Sequence, residues 1–147
     1  MRKKNGLINA WGRLNMNAKL IGYWISLVLF CAAMGFGGIA DLTKNPEIME
    51  SLKGLGYPSY LADILGFWKI VGVVALLLPG YGMLKEWAYA GFFFDLTGAS
   101  ASHWIMQDEL PKTIIPLVIL AIGMVSWYLR PSSRCVTPSA GLDAAQR

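Results

Sequence analysis

The chain has 147 residues, room for one domain, and 55% of them are hydrophobic against only 15% charged. A compact soluble domain of this size cannot cover so much apolar surface with so little charge. The formal net charge of +4 therefore does not mark a nucleic-acid binder or an ordinary cytosolic enzyme, and its distribution along the chain says more than its sum.

Residues 1–19 form a basic N-terminal segment carrying Arg2, Lys3, Lys4, Arg13 and Lys19. Within it, Leu7-Ile8-Asn9-Ala10-Trp11 reads equally as a short amphipathic helix on an anionic leaflet or as a plain positive-inside tail. Leu20 to Ala40 follows, 21 residues without a charge, about the ~20 needed to cross the hydrocarbon core. It is too long for a signal-peptide core and lacks Ala-x-Ala chemistry near Gly38 and Ala40, so it reads as a retained span. Asp41 to Ser59 is the longest connection. Asn45-Pro46-Glu47 opens a short helix there, with Ile48, Met49, Leu52 and Leu55 on an apolar face and a stop near Gly54 or Gly56.

The second span covers 60–78 and contains Asp63 and Lys69. Pro79-Gly80-Tyr81-Gly82 is a tight turn. The third span covers 87–107, with Asp95 and His103, and the fourth, 113–129, is uncharged after Pro111. Pro131 ends the last helix, and 131–147 reads as a disordered tail. The apolar stretches are too continuous for barrel strands. The expected fold is thus an all-α integral membrane four-helix bundle, with spans at 20–40, 60–78, 87–107 and 113–129 in a membrane domain of 20–130. Nine Lys and Arg side chains fall on the side of the termini and three on the other, which places both termini in the cytoplasm. Trp11, Trp24, Trp87, Trp104 and Trp127 lie near span ends, as interfacial residues do.

A charge in mid-membrane costs ~2.5–3.5 kcal/mol on insertion scales, so buried ionisable residues are the best functional pointers. Lys69 stands nine residues before Leu78, and Asp95 stands eight after Trp87. At ~1.5 Å per residue both lie about 12–14 Å from the intervening turn, which makes a Lys69–Asp95 ion pair the specific expectation. It serves function or merely fixes register. Asp41, Asp63 and His103 form a second set, expected to converge at the outer mouth, where a carboxylate would orient the imidazole. Asp63 and His103 are the candidate acid and base if a lipid-soluble substrate is processed. One His with two loosely spaced carboxylates is a poor ligand set, and no metal is expected.

Gly91, Asp95, Gly98, Ala99 and Ser102 share one helix face, expected to pack closely within the bundle. Gly35, Gly38, Gly66 and Gly72 have the same purpose. Phe92, Phe93 and Phe94 wind around the helix, which leaves some for lipid and others for a quinone or lipid pocket. Cys31 and Cys135 lie at different levels, and there is no Cys-x-x-Cys, which disfavours thiol–disulfide chemistry.

The stretch FWKIVGVVALLLPGYGMLKEWAYAGFFFDLTGASASHW, Phe67 to Trp104, resembles the DoxX-like family of small bacterial four-helix membrane proteins. The features are a Lys then Gly in span two, Pro and a turn, Lys85-Glu86-Trp87-Ala88 entering span three, Gly91, a polar mid-span residue, Gly98-Ala99 and His103. Gly35, Gly38 and Asp41 also fit, and the likeness runs from Leu20 to Leu129. It implies a multi-pass protein of the bacterial inner membrane. Relatives are subunits of a thiosulfate:quinone oxidoreductase, belong to membrane redox or detoxification systems, or assist assembly of other membrane proteins. It also implies Lys69, Glu86, Asp95 and His103 as pocket or proton-handling residues.

Three readings follow. The first is an accessory redox or detoxification subunit binding a quinone-like or lipidic molecule between spans two and three, with quinone as its candidate cofactor. The second is a scaffold or assembly factor that grips a membrane partner or another copy of itself. The third is a carrier of protons or small solutes, although four short helices are few for alternating access.

Overall fold

The computed structural model describes residues 2–136, and side chains from residue 16 onward. The apolar face expected around Trp11 and the tail beyond residue 136 lie outside what is described. The described residues form five helices: α1 (Arg2–Leu42), α2 (Pro46–Gly54), α3 (Tyr60–Leu77), α4 (Gly82–Ile105) and α5 (Leu110–Leu129). No strand occurs among them. The first helix does not start near residue 20: its backbone is helical from Arg2, with no proline to interrupt it.

The breakers act where their chemistry puts them. The Asn45 side chain accepts a hydrogen bond from the Glu47 backbone N–H at 3.0 Å, and Pro46 occupies the first helical turn of α2. Ile48, Met49, Leu52 and Leu55 are half-buried, and α2 rests against α3. Gly80 turns the chain between α3 and α4 at φ +89°, a conformation a side chain would oppose.

Three helical segments are long and apolar enough to cross a membrane: Met16–Leu42, Tyr60–Leu77 and Leu110–Leu129. The chain is thus an all-α membrane protein. The third expected span, 87–107, overruns the end of α4 at Ile105 by two residues and is not among the three, because Asp95, His103, the tryptophans and the small residues dilute its apolar ones. The helix itself forms and packs. The four long helices close a ring, α1 and α4 each lying against α3 and α5.

The ring interior follows the 3.6-residue period. Tyr23, Leu27, Phe30 and Met34 of α1 are buried against Leu76 of α3, Tyr89, Phe92 and Leu96 of α4, and Leu120 of α5. Two polar contacts inside the ring are closed by hydrogen bonds. Tyr89 and Ser126 hydroxyls pair at 2.8 Å, and Ser100 donates to the Thr113 carbonyl at 2.7 Å. Outward-facing Ile21, Val28, Phe36, Phe67, Phe94 and Tyr128 are exposed, the distribution a lipid-facing surface requires.

The chain beyond α5 does not start out disordered. Ser132–Arg134 makes a 3-10 turn that returns under the bundle. Arg134 donates to the Tyr23 hydroxyl at 3.3 Å and the Leu76 carbonyl at 3.2 Å, and its guanidinium covers the Trp24 ring. Gly82 admits this segment, for a Cβ there would lie 2.5 Å from the Cys135 carbonyl oxygen.

Candidate functional site

Two glycines set up the central charge cluster. A Cβ on Gly66 would stand 2.8 Å from the Gly38 carbonyl oxygen and 3.0 Å from the Asp41 Cβ, and one on Gly38 would stand 3.0 Å from the Lys69 Cβ. Only hydrogen at both positions lets α1 and α3 approach this closely. In each helix the charged residue comes three positions after the glycine, on the same face. Asp41 and Lys69 are thereby brought together: Lys69 Nζ donates to Asp41 Oδ2 at 2.8 Å. Asp95 of α4 approaches the same ammonium at 3.7 Å. The side chains are largely buried, with 6% of Asp41, 18% of Lys69 and 17% of Asp95 exposed.

The Lys69–Asp95 approach is the one their matched depths lead one to expect. Asp41 is differently placed from the expectation. It does not join Asp63 and His103 but takes the shorter bond to Lys69. Asp63 pairs instead with Lys44 at 3.1 Å, both half-exposed. His103 Nδ1 meets Asp108 Oδ2 at 2.7 Å across the α4–α5 turn. The end of the bundle away from the Gly80 turn therefore holds separate pairs, because α1 ends at Leu42 with Asp41, in its last turn, bonded to Lys69 in the middle of α3.

Beside the cluster, α3 and α4 part into a groove of about 440 Å³, within the range of small-molecule sites, about 300–1,000 Å³. Leu65, Trp68, Val71 and Ala75 form one wall, and Leu84, Trp87, Ala88 and Phe92 the other. Lys69 and Asp95 are its charged groups, far along both helices from the Gly80 turn. Trp68 and Trp87 are 63% and 71% exposed, so the groove opens sideways toward lipid. Phe92 lies across Gly72, where a Cβ would be 2.6 Å from the ring, and so closes the floor. Gly91 lines this groove, and neither it nor Gly98 has any atom within 4 Å of a Cβ position. The glycines of the small-residue stripe therefore face open space rather than a packed helix. The packed face of α4 is Lys85, Tyr89, Phe92, Leu96 and Ser100.

Glu86 belongs to the other end of the molecule. Its carboxylate accepts from Trp127 Nε1 at 2.8 Å and from Arg130 Nη2. Burial raises its pKa, but the hydrogen bonds from Trp127 and Arg130 and the Arg130 charge outweigh it and leave the pKa below the ordinary carboxylate value. Lys85 is buried beside it and donates to the Ala75 carbonyl at 3.1 Å and to the Leu78 carbonyl. Glu86 thus lines a second hollow of about 280 Å³ with Tyr89, Phe93, Phe94 and Trp127, away from Lys69.

The sequence reading passed over Trp68, Leu84 and the Asp41–Lys69 bond. The glycine-to-charge spacing shared by Gly38–Asp41 and Gly66–Lys69 is the signal that could have found the bond.

An all-α membrane protein with a lateral groove ending in buried charge is the class that fold and site define. The model of the DoxX-like family matches residues 25–126, well over half of the chain and inclusive of every residue of the groove. The chain belongs to the DoxX-like family. No curated protein and no solved structure matches it.

Proposed function

We propose that this protein is a four-span component of the bacterial inner membrane, both termini cytoplasmic, that holds a lipid-soluble molecule between α3 and α4. One observation carries the reading: a ligand-sized apolar groove whose charged groups are Lys69 and Asp95, with Asp41 behind them. The apolar walls suit a ligand arriving from the bilayer, and the charges would fix its head. The packing of α4 with α3 and α5 supports a fourth span through it, and the nine-to-three distribution of Lys and Arg supports the orientation. In this reading the protein is an accessory subunit of a membrane redox or detoxification system. A quinone is the redox-active member of the ligand class, and other amphiphiles are its inert members.

The test is mass spectrometry of small molecules retained by the detergent-solubilised protein, in wild type and in Trp87→Ala. A recurrent lipid-soluble compound that Trp87→Ala loses is the expected result. Equal retention by both proteins, or no retained compound at all, defeats the reading.

A second reading, a scaffold for a partner helix, has its own observation in the open Gly91 and Gly98 face of α4. Small exposed residues let another transmembrane helix approach closely. Crosslinking from Ala99 that captures one recurrent membrane partner would favour it.

A further inference from the structure

The charge count within the cluster narrows what the groove can accept. Asp41 and Asp95 share one ammonium, Lys69. With all three ionised, one negative charge is left in excess where charge is costly. The excess is not spread evenly. Asp41 receives a hydrogen bond at 2.8 Å, whereas Asp95 stays 3.7 Å from the ammonium and accepts no hydrogen bond from any described residue. Asp95 is also the carboxylate that lines the groove. The groove thus presents an acceptor without a donor.

The walls beside it carry the complementary feature. Trp68, Trp87 and Phe92 surround the cavity, and aromatic faces, tryptophan above all, attract cations through the ring quadrupole. Neutral acceptors fit less well. A quinone offers only carbonyl oxygens, which Lys69 could meet but which would face Asp95 acceptor to acceptor. An anionic headgroup would add a second uncompensated negative charge to the first.

We infer that the α3–α4 groove is a binding site for a lipophilic organic cation, an amphiphile whose positive head sits against Asp95 and whose apolar body lies between Trp68 and Trp87. This rests on the groove being a ligand site and names the class of its ligand. The positive head restores neutrality to the cluster, and the body replaces lipid in the apolar part. Neither cation–π contact nor the ion pair requires Lys69 to leave Asp41.

Tetraphenylphosphonium and tetraphenylborate, nearly equal in size and shape and opposite in charge, provide the probes. Binding of each is measured by equilibrium dialysis to the full-length protein in nanodiscs, with protein-free nanodiscs subtracted. The phosphonium is expected to bind saturably and the borate not to. Asp95→Asn, which keeps the shape of the side chain, is expected to weaken phosphonium binding at least tenfold. Trp87→Ala, at an exposed position that leaves the core intact, should weaken it severalfold. Equal binding of the two ions, or undiminished binding to Asp95→Asn, overturns the inference. If the phosphonium does not bind while a neutral quinone or a phospholipid is retained by wild type and lost from Trp87→Ala, the cationic class is wrong and the groove reading stands. If nothing is retained and neither ion binds, both fall.

Discussion

The molecule holds two groups of buried charge, and they are built on different rules. At the turn end, each cation is tied to at least one local acceptor, although Arg130 Nε and Nη1 are buried without a hydrogen-bond partner. Lys85 donates to two carbonyls, Arg134 to a carbonyl and a hydroxyl, and Arg130 to Glu86 while it lies over the Tyr89 ring. The hollow beside them is smaller than the α3–α4 groove, about 280 Å³ against 440 Å³, its one charged group, Glu86, is already paired, and the chain after α5 folds back over this end. At the α1–α3–α4 contact, by contrast, one lysine serves two carboxylates, one of the carboxylates is short of a donor, and a groove opens beside it. Charge tied to local acceptors fastens the ends of helices together. Charge left partly unsatisfied next to space is what a ligand can complete.

The comparison can be broken most forcefully at the two lysines. Lys69→Met strands two buried carboxylates, and removal of one partner from a buried pair costs about 3–5 kcal/mol. Lys85→Met leaves only neutral carbonyls without partners, about 1–3 kcal/mol. Thermal unfolding of the solubilised protein, followed by tryptophan fluorescence, should rank Lys69→Met well below Lys85→Met. The reverse order would mean that the turn end, not the central cluster, carries the critical charge.

Gly66→Ala comes next. Its Cβ would stand 2.8 Å from the Gly38 carbonyl, and overpacking of this kind costs about 1–3 kcal/mol. The same melt should show the loss, and a melt equal to wild type would mean that the α1–α3 contact gives way freely. Acid sharpens the contrast at the turn end. Glu86 releases its proton more readily folded than unfolded, so its pairing stabilises above the ordinary value of 4.5 and that stabilisation fades as pH falls through the lower folded value. Glu86 is 36% exposed, so solvent screening holds the effect below about 1 kcal/mol. Glu86→Gln should flatten this part of the stability–pH curve below pH 4.5, and an unchanged acid limb would place the titrating group elsewhere. The smallest effect belongs to Gly91→Ala, where a methyl group meets open space. Its melt should stay within about 0.5 kcal/mol of wild type, and a large loss would show that α4 is packed there by something beyond this chain.

Much of the architecture is legible in the sequence, since uninterrupted apolar runs and Pro and Gly punctuation report helices and turns directly. Depth along a helix is legible too, which is why Lys69 and Asp95 can be matched by counting residues. Counting gives height and no lateral position. That is how Asp41 came to be grouped with Asp63 and His103, when the crossing at Gly38 and Gly66 carries it to Lys69. A stripe of small residues has the same ambiguity: at Gly66 it means contact and at Gly91 it means space. The bonds of Lys85 to carbonyls leave no trace in sequence, because every residue carries a carbonyl.

The unequal lengths of the helices have a mechanical consequence. Tyr60–Leu77 is 18 residues and α1, Arg2–Leu42, is 41, about 27 Å and 60 Å at ~1.5 Å per residue. Both must share one hydrocarbon layer about 30 Å thick. The shorter helix matches that layer when upright, whereas the longer one must lean or protrude. The two helices come closest at Gly38 and Gly66, so any lean of one against the other pivots beside the point where Asp41 meets Lys69.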